Sequence, residues 1–97
     1  MRLTEQEVET IRQFFRTKPV LKAWLFGSYA RGEADATSDV DLLVNLDYQR
    51  LDIFDYLEWP GQLAQALGKK IDLGSDKYVL RFYRPYIDSD KQLIYEG

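Results

Sequence analysis

Two aspartates, Asp39 and Asp41, stand two positions apart at the head of the apolar run Val40–Leu46. The run reads as a strand. Side chains at i and i+2 of a strand leave the same face, about 6.6 Å apart along the chain. Two carboxylates aimed at one spot repel each other unless a cation stands between them. The fold must therefore present this strand end openly enough to admit a divalent ion, or two ions about 3.5–4 Å apart. Without metal, at least one of the carboxylates should keep its proton to a higher pH than usual.

A second apolar run, Val20–Phe26, reads as a mostly buried strand and ends in Gly27-Ser28. Glycine lets a ligand approach the backbone closely. A serine opening a helix offers a hydroxyl beside free N–H groups that favour phosphate. One strand end thus supplies phosphate donors and the next supplies metal ligands, a combination that a metal-bound nucleoside triphosphate matches. Asp72, between Ile71 and Leu73, is the candidate third carboxylate. On a buried strand it would be costly unless paired or bound to metal. It would serve as general base toward an attacking hydroxyl or as a further metal ligand. Taken singly these features are weak. Asp-x-Asp often caps a helix, Gly-Ser is an ordinary turn, and Asp72 would suit an edge strand facing water. Their order, strand, Gly-Ser, helix, loop, Asp-x-Asp strand, then a third strand with its own aspartate, is far more specific.

The rest of the chain alternates. Thr4 and Glu7 form a capping box ahead of Val8, Ile11, Phe14 and Phe15, which predicts a helix over about Thr4–Thr17 ended by Lys18-Pro19. Ser28–Glu33 reads as a short helix stopped by Gly32, and Ala34–Ser38 as a loop. Asp52–Leu67 carries the helical stripe Ile53, Phe54, Leu57, Leu63, Ala64 and Leu67, with a break or kink expected at Pro60-Gly61 and a cap at Gly68. Lys70–Leu73 reads as a short strand, Gly74-Ser75-Asp76 as a turn, Lys77–Ile87 as a helix interrupted by Pro85, and Gln92–Tyr95 as a last strand. This order predicts an α/β (α+β) fold, a small mixed sheet with helices packed on it.

Length and composition narrow the chemistry. The 97 residues, 45% hydrophobic, suit one domain over 1–97. A second, substrate-binding domain does not fit, so a large acceptor would be held partly by something else. There is no cysteine and no histidine. That removes disulfides, thiolate nucleophiles, Cys/His zinc sites and a histidine base, and leaves oxygen ligands suited to Mg or Mn. A net charge of -3, with scattered lysines and arginines, argues against a long DNA or RNA partner. No apolar run is long enough for a membrane span, and a soluble, cytoplasmic protein is expected.

The segments Gly27-Ser28-Tyr29-Ala30-Arg31-Gly32-Glu33-Ala34 and Ser38-Asp39-Val40-Asp41-Leu42-Leu43-Val44 resemble the minimal nucleotidyltransferase (MNT) family of the DNA polymerase β superfamily. The likeness extends to Lys70-Ile71-Asp72-Leu73 and to a tail from Val79-Leu80 to Leu93-Ile94-Tyr95. It implies a mixed sheet of about four strands, Mg²⁺ as cofactor (two ions fit the pattern) and ATP as nucleotide donor. Asp39, Asp41 and Asp72 carry over as metal ligands and catalytic carboxylates, and Gly27 and Ser28 as triphosphate contacts. Arg31 reads either as a further phosphate contact or as a surface charge on a short helix. Gly74-Ser75 departs from the family's apolar continuation and shortens the third strand.

Small proteins of this type resemble the antitoxins of HEPN–MNT toxin–antitoxin pairs. The resemblance implies transfer of AMP from ATP to a tyrosine of a helical HEPN toxin. Two alternatives stand beside it: an MNT-fold antitoxin that neutralises its toxin by occlusion without catalysis, and a nucleotidyltransferase with a small-molecule acceptor such as an aminoglycoside. Three aligned carboxylates favour the enzyme over the pure binder. The aromatics Trp59, Tyr78, Phe82, Tyr83 and Tyr86 read either as a partner face or as core.

Overall fold

A computed structural model describes residues 1–78 and 84–97. The expected tail residues Val79-Leu80 and the aromatics Phe82 and Tyr83, with the side chain of Tyr86, lie outside the described residues. The chain runs α1 (Glu5–Arg16), β1 (Val20–Phe26), α2 (Gly27–Arg31), β2 (Val40–Leu46), α3 (Ile53–Leu67), β3 (Ile71–Ser75), a 3-10 turn (Asp76–Tyr78), α4 (Arg84–Asp90) and β4 (Gln92–Glu96). The four strands form one sheet in the order β3-β2-β1-β4. β1 is antiparallel to β2 and to β4, while β2 and β3 are parallel. The sheet is mixed, as expected.

Local sequence explains most element ends. Thr4 Oγ1 accepts the Glu7 N–H at 3.1 Å, and Glu7 Oε1 accepts the Thr4 N–H at 2.9 Å, closing the capping box of α1. Glu7 also pairs with Lys69, tying the approach to β3 onto the first turn of α1. Asp52 caps α3 by accepting the Phe54 N–H at 2.9 Å, and Gly68 ends that helix.

One face of the sheet carries α1 and α3. Ile11 and Phe15 from α1 and Trp59 and Leu63 from α3 are fully buried against Ala23, Leu25, Val40, Leu42 and Val44. Side chains alternate faces along a strand. Asp41, Leu43 and Asn45 therefore point the other way. Lys91, beside β4, lies 4.7 Å over the Trp24 ring on β1. Leu43 is buried on that second face too, which accounts for the nearly continuous apolar run of β2.

Four expectations about elements change. α3 runs through Pro60 without a break, because Trp59 and Leu63 are buried on either side of it and tertiary packing outweighs the lost hydrogen bond. β3 does not stop at Leu73: Gly74 and Ser75 pair with Leu43 and Val44. Of the expected helix over Lys77–Ile87, Lys77 and Tyr78 lie instead in a 3-10 turn, and the described residues from Arg84 onward are helical through Pro85. The α3 stripe is rotated, so that Ile53, Phe54 and Leu57 are exposed and Trp59, read as a partner-face candidate, is core. Among the described residues no helix is long and apolar enough to cross a membrane.

Candidate active site

β1 and β2 run antiparallel with Phe26 opposite Asp41. The residue after Phe26 is Gly27, so α2 begins directly beside the Asp41 carboxylate. Gly27 has φ +72°, a left-handed conformation that favours glycine. A Cβ there would run into that carboxylate, whose Cγ would lie 3.1 Å from it. The backbone angle thus favours glycine, and any side chain here would displace the Asp41 carboxylate. The following turn puts Ser28 at the start of α2, and no side chain caps that end. α2 has only five residues, so its contribution to an anion is a few N–H donors and a hydroxyl rather than a substantial dipole. Gly32, at φ +77°, ends α2 and turns the chain toward β2.

The loop back to β2 is built on an aspartate that the sequence reading assigned no role. Asp35 Oδ1 accepts the Thr37 N–H at 2.8 Å and the Thr37 hydroxyl at 2.7 Å, and Ser38 Oγ accepts the Asp35 N–H at 2.9 Å. These bonds hold its carboxyl below the usual carboxylate range, Thr37 contributing most. The Asp-Ala-Thr-Ser run is an Asx-turn pattern and was the available signal. The turn delivers Asp39 to the threshold of β2, where it lines a cavity of about 360 Å³ with Tyr29, Ser38, Lys69 and Lys70.

Parallel pairing places Asp72 directly opposite Asp41, and adjacent strands lie about 4.8 Å apart. The two carboxyls are close enough to share a hydrogen bond. Asp41 is half-buried and its carboxyl is pushed up to about 6, first by burial, then by the charges of Asp72 and Asp39, with Arg31 opposing. The expected proton-retaining carboxylate is therefore Asp41. The location expected for Asp72 needs correction. It is exposed, on an edge strand, rather than buried between Ile71 and Leu73. Its neighbours' side chains turn to the core face and Asp72 turns to the site.

Arg31 lies at the end of α2, with Nη1 2.6 Å from Asp90 on α4 and Nε 3.1 Å from Glu33. These pairs raise its affinity for its proton, Asp90 most. The structure thus gathers Gly27, Ser28, Arg31, Asp39, Asp41 and Asp72 at one end of the sheet. The donor set fits a hard divalent cation. It is all oxygen, and Asp41, crowded by the charges of Asp72 and Asp39, keeps its proton to a higher pH than an ordinary carboxyl. Asp41 and Asp72 are the pair in contact. Among the described residues no three acidic side chains are drawn together tightly enough to enclose an ion.

This geometry has relatives. Residues 9–96 match the family described as polymerase beta, nucleotidyltransferase. A protein of Methanocaldococcus jannaschii assigned as a protein adenylyltransferase is 40% identical over 74 residues, covering 73% of this chain and 71% of that protein. The protein adenylyltransferase MntA of Thermococcus cleftensis is 35% identical over 77 residues, covering 73% and 76%. Among solved structures, a chain from a toxin–antitoxin crystal structure with AMP-PNP superposes with a TM-score of 0.80 at 23% identity, covering 93% of this chain and 73% of that one. A chain from a tri-AMPylated HEPN toxin of Shewanella oneidensis in complex with an MNT antitoxin gives 0.75 at 20% identity, covering 98% and 74%. At these identities the structural likeness is one of fold.

Proposed function

This chain belongs to the polymerase beta nucleotidyltransferase family, and from that premise we propose that residues 1–97 act as a single domain that transfers AMP from ATP to a hydroxyl of a partner protein. The acceptor is a tyrosine of a HEPN-type toxin, and the transfer makes this protein an antitoxin. The observation that carries the reading is the parallel register that sets Asp72 against Asp41 beside the Gly27 backbone.

In this reading Asp39, Asp41 and Asp72 hold Mg²⁺. When bound, the ion supplies charge neutralisation at the transferring phosphoryl group. Gly27 and Ser28 donate to the triphosphate from the open end of α2, and Arg31 adds positive charge on the same side. Asp72, being exposed, is reachable by the acceptor and takes the proton of its attacking hydroxyl. The acceptor oxygen bonds to the α-phosphorus, the bond to the β-phosphate bridge breaks, and pyrophosphate leaves. The names of the adenylyltransferase relatives support the choice of AMP. The fold shared with MNT antitoxin complexes supports the choice of partner. The exposed side chains of Ile53, Phe54, Leu57 and Tyr78 supply apolar surface of the kind that a partner covers.

The test is to incubate the protein with labelled ATP, Mg²⁺ and its genomic neighbour. Label should pass to the neighbour and the transfer should vanish in Asp39→Ala and Asp41→Ala. Neutralisation that survives those changes without label transfer would establish occlusion instead. Transfer to an aminoglycoside and not to the protein would establish the small-molecule reading.

A further inference from the structure

Arg31 reaches the site from α2, but what holds it comes from elsewhere in the chain. Its Nη1 donates to Asp90 Oδ2 at 2.6 Å, across 59 residues, and its Nε donates to Glu33. A guanidinium carries five N–H donors in a fixed plane. Asp90 takes Nη1 and Glu33 takes Nε, and among the described residues nothing bonds Nη2. Asp90 is the firmer of the two anchors, its side chain 24% exposed against 66% for Glu33. Its own position is fixed by the next turn of chain. Gln92 Nε2 donates to the Ala30 carbonyl at 3.0 Å, and Arg2 Nη1 donates to the same oxygen at 2.9 Å. The start of β4 is thereby latched to the residue before Arg31.

We infer that Asp90 is a positioning residue that clamps the Arg31 guanidinium in one pose, with Nη2 presented to the phosphates of the donor nucleotide. Two carboxylates on one arginine would otherwise be an odd expense of charge next to a site that binds an anion. Holding two different nitrogens explains the arrangement, because it orients the plane and leaves Nη2 unconsumed. The inference rests on the donor-nucleotide reading above.

Calorimetric titration with Mg²⁺ and a non-hydrolysable ATP analogue tests it, with AMP as a control lacking the outer phosphates. Arg31→Ala and Asp90→Asn should each weaken the analogue about tenfold, the scale of one charge-assisted hydrogen bond. AMP binding should not change between them. The double variant should bind no worse than Arg31→Ala alone, and Asp90→Glu should recover part of the loss. Wild-type affinity in Asp90→Asn, or losses that multiply in the double variant, would overturn the positioning role and leave the nucleotide site standing. Failure of the wild-type protein to bind the analogue overturns both. If Asp90→Asn melts well below wild type, Asp90→Glu carries the comparison: an affinity for the analogue equal to that of Arg31→Ala refutes the clamp.

Discussion

Asp41 gives the sharpest quantitative test of the site. In the folded, metal-free protein its carboxyl is raised from 3.8 to about 6. The folded state therefore holds this proton more tightly than the unfolded chain does. The associated stability is fully present below about pH 4 and is lost as the pH rises through about 6. A rise of about two pH units corresponds to roughly 3 kcal/mol. Asp41 is only half-buried and solvent screens its neighbours, so about 1–2 kcal/mol is the expected size. Asp41→Asn mimics the protonated form at every pH. In EDTA at pH 8, urea unfolding should show the variant more stable than wild type by that amount, and its melting temperature should rise by several degrees. Near pH 4 the two proteins should converge. Excess Mg²⁺ at pH 8 should reverse the order, because only the wild type offers the full carboxylate set. The reasoning is refuted if the variant is no more stable at pH 8, or if its advantage is the same at pH 4.

Other expectations follow from single contacts. Gly27→Ala should lower stability by about 1–3 kcal/mol, through strain at positive φ, and should abolish label transfer by displacing the Asp41 carboxylate; thermal melts and the transfer assay read the two losses separately. Thr4→Ala should cost about 1 kcal/mol by opening the capping box, seen as a lower urea midpoint with nucleotide affinity unchanged. Phe54→Asp, at a side chain 78% exposed, should leave stability within about 0.5 kcal/mol yet weaken association with the proposed toxin partner in a pull-down or calorimetric titration.

Element identity was legible wherever it depends on near neighbours. The Thr4–Glu7 box, the Val20–Phe26 and Val40–Leu46 runs and the caps at Gly32 and Gly68 are all local signals, and each appears where its residues stand. The misjudged features depend on distant partners. Pro60 looks like a breaker until Trp59 and Leu63 are seen locked against the sheet. Gly74-Ser75 looks like a turn until β2 is found pairing with it. Ile53, Phe54 and Leu57 share a helical spacing with the buried residues, but only the contacts with α1 decide which side of α3 faces inward. For the site, spacing along the chain singled out Asp39, Asp41 and Gly27-Ser28 as candidates. The proximity of Asp72 to Asp41 is a property of the sheet, and the Arg31–Asp90 pair spans too much sequence for any local pattern to foretell.

The parallel register of β2 and β3 has a further meaning for quality control. Opposite Asp41 stands Asp72; a slip of one residue would bring Ile71 or Leu73 there, turning the carboxylate into the apolar layer and a hydrocarbon into the site. Mispaired chains would thus be both unstable and chemically silent. Strand alignment in this small sheet acts as a built-in proofreader: the same hydrophobic side chains that reject a wrong pairing also keep a mispaired copy from assembling the carboxylate pair.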